Sequence, residues 1–211
     1  MIFRLAFAWM AAFSLLASAR AAEEPALHSI GFTLTDKELA ELAQDRPVIR
    51  VTPDEEGDAA ARIFGAVEID APRDVIWEIM LDCARAPEFV PGLTDCTIIE
   101  TGADGRWDVR EHRINFGFVF TNVVNVFRSE YIPLEQISFH LIGGDLKTQE
   151  GVWQLKTIRT EPARTRVLYD ARLAIGRPVP RFLVRRSIRN DMPEVFRALK
   201  SAAEADAELA E

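Results

Sequence analysis

Few side chains in this sequence stand at a spacing that could do chemistry. The densest group able to move a proton is Glu111-His112-Arg113, with Tyr169 and Asp170 farther along. A carboxylate or imidazole held beside a substrate can act as general acid or base, so His112 and Glu111 are the weak catalytic candidates. No nucleophile elbow accompanies them. The three histidines, His28, His112 and His140, are scattered, and neither HExxH nor CxxC occurs, so no metal and no cofactor is expected. Cys83 and Cys96 are the only cysteines. Whether they pair depends on the compartment.

The N-terminus speaks to that. Arg4 precedes an uninterrupted apolar and small stretch from Leu5 to Ala19, and Ala19-Arg20-Ala21 has the small-x-small pattern of a signal-peptidase site. Residues 1–21 are expected to be a signal peptide cut after Ala21, which makes the mature protein periplasmic or secreted. An uncleaved anchor is the alternative, but about 15 apolar residues fall short of the ~20 that span a bilayer. In an oxidising compartment a Cys83–Cys96 disulfide is expected, with two buried free thiols as the alternative. Removing residues 1–21 takes away two arginines and no acid, leaving 23 basic against 33 acidic residues and a net charge of −10. That balance argues against nucleic acid as a partner.

The mature length suits one domain, and 48% hydrophobic residues is enough to build its core. A short helix is expected from Leu34 to Gln44, with Thr35 and Glu38 as a capping box and Leu39 and Leu42 on one face. Val48 to Val51 could form a small strand before the acidic turn at 53–58. Residues 22–58 are read as an N-terminal extension, 59–207 as the main domain and 208–211 as an acidic tail. The domain opens with a strand, Arg62 to Ile69. A helix follows Pro72, with a second helical turn from Ala84 to Phe89. Six strand-like segments come next: Cys96 to Glu100, Arg106 to Phe116, Asn122 to Tyr131, Gln136 to Ile142, Thr148 to Ile158 and Arg164 to Ala174. Joined so shortly, they must be antiparallel neighbours. A long helix from Pro180 to Ala207 ends the chain, with Val184, Ile188, Met192, Val195, Leu199 and Ala202 on one stripe. Pro193, flanked by Asp191 and Glu194, is expected to kink or restart it.

This order, and two stretches of sequence, resemble the START-like (SRPBCC, helix-grip) superfamily, in particular its polyketide cyclase/dehydratase and coenzyme Q-binding branch. The stretches are Ala71-Pro72-Arg-Asp-Val-Ile-Trp77 through Pro87-Glu88-Phe89-Val90-Pro91-Gly92, and Gly144-Asp-Leu-Lys-Thr-Gln-Glu150-Gly151-Val-Trp153. The resemblance spans residues 62–202. It implies an α+β fold in which a curved, seven-stranded antiparallel sheet wraps around the long C-terminal helix, with two short helices after the first strand. It is specific for fold and weak for function, since the superfamily includes lipid carriers, quinone-binding proteins and aromatic cyclases.

Within that fold one sheet face turns toward the helix. Ile137, Phe139 and Leu141, Trp153 and Leu155, and Val167, Tyr169, Ala171 and Leu173 each share a side of their strand and are candidates for an inner wall. They line a cavity or fill a solid core. Phe116, Phe118 and Phe120 fall at a turn expected at the rim, where they would line a cavity mouth, meet a membrane surface or fold back inward. Arg177, Arg181, Arg185, Arg186 and Arg189 cluster where the long helix begins. At 100° per residue Arg181 and Arg185 share the side of the apolar stripe with Ile188 and Met192, so they suit an anionic or carbonyl-bearing headgroup. The alternative is that they snorkel to surface partners. The expected ligand site is therefore Phe116, Phe118, Phe120, Phe139, Trp153, Tyr169, Leu173, Arg181, Arg185, Ile188 and Met192. The expected partner is a hydrophobic small molecule, lipid or quinone-like, with transient contact to a membrane surface. Two functions stay open: an exported carrier, and a cyclase- or dehydratase-type enzyme using a proton-transfer residue in the same cavity.

Overall fold

A computed structural model of the chain describes residues 30–54, 60–115, 122–176 and 179–210. In chain order the elements are α1 (Asp36–Leu42), β1 (Val48–Thr52), β2 (Ala61–Ile69), α2 (Arg73–Leu81), α3 (Ala86–Phe89), β3 (Leu93–Thr101), β4 (Trp107–Ile114), β5 (Val123–Ile132), β6 (Gln136–Gly144), β7 (Leu146–Thr160), β8 (Ala163–Ile175) and α4 (Arg181–Ala210). The strands form one antiparallel sheet in the order β1-β2-β8-β7-β6-β5-β4-β3. Its concave face holds α4, which is the helix-grip arrangement.

The sheet has eight strands, not the expected seven. The additional one is β1, part of the stretch read as an extension, and it pairs along its length with β2. Five residues suffice because Ile49 and Val51 turn inward, opposite Gly65 and Ile63. The chain before it packs on the convex face, where Ile30, Phe32 and Leu34 cover Leu42, Val48, Phe64, Ala66 and Leu168. The capping box at α1 forms as expected: the Thr35 amide donates to Glu38 Oε2 (2.8 Å) and the Glu38 amide to Thr35 Oγ1 (3.3 Å). Arg50 Nε donates to the other Glu38 oxygen at 2.6 Å. That contact, with the Thr35 bonds, holds the Glu38 carboxyl down to about 2. Leu42 is buried, but Leu39 is exposed.

At the far edge, β3 is exposed along most of its length, and its pairing with β4 shifts register between Leu93 and Asp95 and again between Ile98 and Glu100.

The helix α4 runs through Pro193 as one element of 30 residues, so the expected restart does not occur. Proline removes one hydrogen bond to the carbonyl four residues back. Residues on both sides of it are buried, Val184 before and Phe196, Leu199 and Ala203 after, so both halves are held against the sheet. Asp191, the expected cap, is instead engaged by Ser187 Oγ at 2.7 Å. Phe196, outside the expected stripe, is the largest fully buried side chain of α4. A Cβ on Gly65 would lie 2.5 Å from its ring, so the absence of a side chain on β2 is what lets the helix settle there. Among the described residues no helix is long and apolar enough to cross a membrane.

Candidate functional site

Strand alternation and cross-strand register place a set of polar side chains on the concave face. On β4, Asp108, Arg110, His112 and Ile114 face inward, opposite Ser129, Phe127, Asn125 and Val123 of β5. Farther round, Phe139, Trp153 and Tyr169 continue the same face, with Trp153 and Tyr169 as cross-strand partners whose ring centroids are 4.2 Å apart. The Phe139 ring stacks with Tyr169 at 6.1 Å.

Between this wall and the helices lie two adjoining chambers. The deep one, about 220 Å³, is walled by Met80, Leu81, Phe127, Phe139, Trp153 and Leu199, and Arg110, His112 and Tyr131 reach into it. The outer one, about 200 Å³, lies under the first half of α4, between Leu173, Val184, Ile188 and Met192, with Asn125 and Asp191 among its polar groups. Ile114, Gln149 and Tyr169 border both. A third space of about 450 Å³ sits on the convex side beside Ile30, Phe32 and Leu168. It is larger, but none of its lining atoms is a buried polar group left unpaired, and it belongs to the groove beneath the N-terminal arm.

The deep chamber holds a buried charge. Arg110 is 7% exposed, so its guanidinium must be paired. Nε donates to Asp108 Oδ2 at 2.8 Å, and Nη2 donates to Leu81 O at 3.0 Å and to the Tyr131 hydroxyl at 3.2 Å. Burial opposes its charge, yet Asp108 and Tyr131 hold its pKa above the ordinary arginine value. Burial likewise pushes the Tyr131 and Tyr169 hydroxyls well above the usual phenol range. His112 goes the other way: burial first, then the neighbouring Arg110 charge, press it down to about 4, so it is a neutral imidazole at physiological pH. Its ring meets Phe127 edge-on at 4.7 Å. Among the described residues three buried side-chain atoms have no hydrogen-bond partner: Asp108 Oδ1, His112 Nε2 and Asn125 Oδ1. All three belong to this wall.

Of the residues expected from sequence, Phe139, Trp153 and Tyr169 come together in the deep chamber and Leu173, Ile188 and Met192 in the outer one. Phe116, Phe118 and Phe120 lie outside the described residues. Arg181 is exposed and lines neither chamber. Arg185 lines neither chamber and is turned to the rim of the sheet, where Nη1 donates to Ala60 O at 3.1 Å; Arg189 does the same to Val51 O at 2.8 Å. The angular argument gave the side of the helix but not the reach, since a long side chain swings to the nearest carbonyl in need of a donor. Glu111 sits on the outer face beside Arg113, whose Nη2 lies 2.6 Å from Glu111 Oε1, so of the two proton-transfer candidates only His112 points inward. The Cys83–Cys96 disulfide is present, with Cα atoms 5.4 Å apart, and joins the chain after α2 to β3. Cys96 is the cross-strand partner of His112.

Sequence reasoning missed Asp108, Arg110, Ser129, Tyr131, Asn125 and Gln149. Stepping back by two from His112 reaches Arg110 and Asp108, and that was the available signal.

Comparison with known proteins agrees with this geometry. The family described as "Polyketide cyclase / dehydrase and lipid transport" matches residues 69–200. No curated protein matches the sequence. Among solved structures, a START superfamily protein from Mycobacterium smegmatis is 22% identical, with a TM-score of 0.56 over 71% of this chain and 99% of its own. A STAR-related lipid transfer protein from Xanthomonas axonopodis is 14% identical, with a TM-score of 0.63 over 74% of this chain and 93% of its own. The Zhui aromatase/cyclase from Streptomyces sp. R1128 is 16% identical, with a TM-score of 0.55 over 70% of this chain and 93% of its own. At these identities the structural neighbours speak for the fold alone. The matched family covers the segment from the end of β2 through most of α4, and the chain belongs to the polyketide cyclase/dehydrase and lipid transport family.

Proposed function

We propose that this protein is exported and carries a hydrophobic small molecule, lipid or quinone-like, in the cavity between sheet and α4. The observation that carries the reading is the pair of adjoining chambers with aromatic and aliphatic walls, lying where a well-packed core would leave voids no larger than a water molecule. A family of cyclases and lipid transporters is consistent with it. The signal-peptide pattern in residues 1–21 and the Cys83–Cys96 disulfide support export. The start of α4 supports transient contact with a membrane surface: Phe182 is 61% and Leu183 40% exposed, beside Arg181 and Arg186. A net charge of −10 on the mature chain keeps such contact weak and salt-sensitive.

The enzyme reading draws on His112, since burial raises the pKa of Tyr169, the other proton-transfer candidate at the cavity, and keeps its hydroxyl protonated. A base depressed to about 4 is a poor proton acceptor at neutral pH, where catalysis favours a pKa near the working pH. Binding is therefore the stronger account. Native mass spectrometry of protein extracted gently from the periplasm tests it. The expected result is a mature chain starting at Ala22 with a hydrophobic molecule attached. A chain that emerges empty and takes up nothing from a total lipid extract would overturn it.

A further inference from the structure

Two of the three unpaired buried atoms are cross-strand neighbours. His112 and Asn125 face each other directly in the β4–β5 ladder, a register that sets Cα atoms about 5 Å apart. Both side chains point to the concave side, and each has one polar atom unserved, His112 Nε2 and Asn125 Oδ1. Asn125 is 1% exposed, and its amide nitrogen is already committed to Gln149 Oε1. Leaving such groups unserved costs about 1–3 kcal/mol each, which a folded protein retains where something else completes them. Their position says what. His112 borders the deep chamber, Asn125 the outer one, and Gln149 borders both, so the pair stands at the junction and not at either end.

From this we infer that the ligand carries a hydroxyl at an interior position, seated between His112 Nε2 and Asn125 Oδ1, with apolar bulk extending into a chamber on each side. The inference rests on the carrier reading and narrows its ligand class. A hydroxyl can donate to Asn125 Oδ1 and, with His112 in its Nε2–H tautomer, accept from Nε2. A carbonyl, which only accepts, would leave Asn125 unserved. A charged group is disfavoured because His112 is neutral and Asn125 offers no charge. The nearby Arg110 gives its Nε and Nη2 donors to Asp108, Leu81 O and Tyr131.

The test uses two probes of one shape, 9-fluorenol and 9-methylfluorene, in which a hydroxyl or a methyl projects from the middle of a flat hydrocarbon. Calorimetric titration of the full mature protein should give about tenfold tighter binding of the alcohol, the scale of a buried pair of hydrogen bonds. In His112→Phe and in Asn125→Leu the preference should fall to within about twofold while 9-methylfluorene still binds. Nitrogen NMR of the histidine rings gives a second readout on the unaltered protein, needing no variant to fold. The His112 signal should move with the alcohol and not with the methyl compound, and exposed His140 should stay put. Equal affinity for the two probes, or a preference that survives both substitutions, would overturn the inference and leave the carrier intact. If neither probe binds, the cavity reading falls and this one with it.

Discussion

The concave face is filled at one end and hollow at the other. Under β1 and β2, Phe196 and Ala203 are fully buried, and Phe196 presses on the bare backbone of Gly65. Polar groups around that end are fully engaged. Arg164 meets Glu68 at 2.9 Å, Asp70 at 2.7 Å and Asp45 at 3.0 Å, while Lys200 bridges Asp45 and the Glu68 carbonyl. Burial would raise the Glu68 carboxyl, but Arg166 and Arg164 outweigh it and bring it below the usual range. Under β4 and β5 the same sheet encloses space and leaves three buried polar atoms unserved. One scaffold is thus packed closely where the helix is anchored and left open under β4 and β5.

Substitutions can break that contrast, and the largest effect is expected at the filled end. Phe196→Ala should cost about 4 kcal/mol in urea unfolding, because the site is too closely framed to collapse. A loss under about 1.5 kcal/mol would mean that this end is not the anchor. Next comes the disulfide, which fastens the hollow end from outside the cavity. Its 13-residue separation predicts a loss of about 3 kcal/mol or less when both cysteines become alanine. Thiol labelling of the denatured, unreduced protein should find no free cysteine, and two per chain would refute the link.

Between pH 7 and pH 5, before the paired carboxylates titrate, acid should act on the hollow end. His112 has its folded pKa depressed to about 4 against 6.5 unfolded, so its contribution is complete above pH 6.5 and is lost as pH falls through the interval down to 4. At pH 5 the loss should be about 2 kcal/mol relative to pH 7. His112→Gln should remove most of that slope, and an unchanged slope would assign it to other groups. The smallest effect is expected for Met192→Ala. Met192 shares α4 with Phe196 but faces a chamber, so it has fewer contacts to lose and should cost only about 1 kcal/mol. A loss as large as that of Phe196→Ala would show the chamber to be packed tight.

How much of this was legible in the sequence follows the same divide. Strand alternation from β2 to β8 and the helix-grip order could be read directly, because a half-buried strand writes its face every second residue. The wall residues Phe139, Trp153 and Tyr169 followed. The strand β1 was legible as Val48 to Val51, but its place on the edge of the main sheet, paired with β2, was not, because so short a run does not say which strand it joins. Phe196 was passed over because spacing of three and four through Val195 and Leu199 describes a narrow stripe, whereas a helix gripped by a curved sheet buries a broader face. Arg110 and Asp108 were hidden by their charge, which reads as an outward face until the partner strand supplies Tyr131. The pairing of His112 with Asn125 depends on register across a long connection, which no local pattern encodes.

The broken edge at β3 bears on how the protein behaves in a crowded compartment. A straight terminal strand offers an unpaired row of amides and carbonyls on which another chain can assemble, and solvent-facing Ile98 and Ile99 would make that assembly adhesive. The two register shifts cut the row into short lengths, and Asp95 and Glu100 set a carboxylate at each interruption. An open sheet can therefore end at β3 without becoming the seed of a fibril.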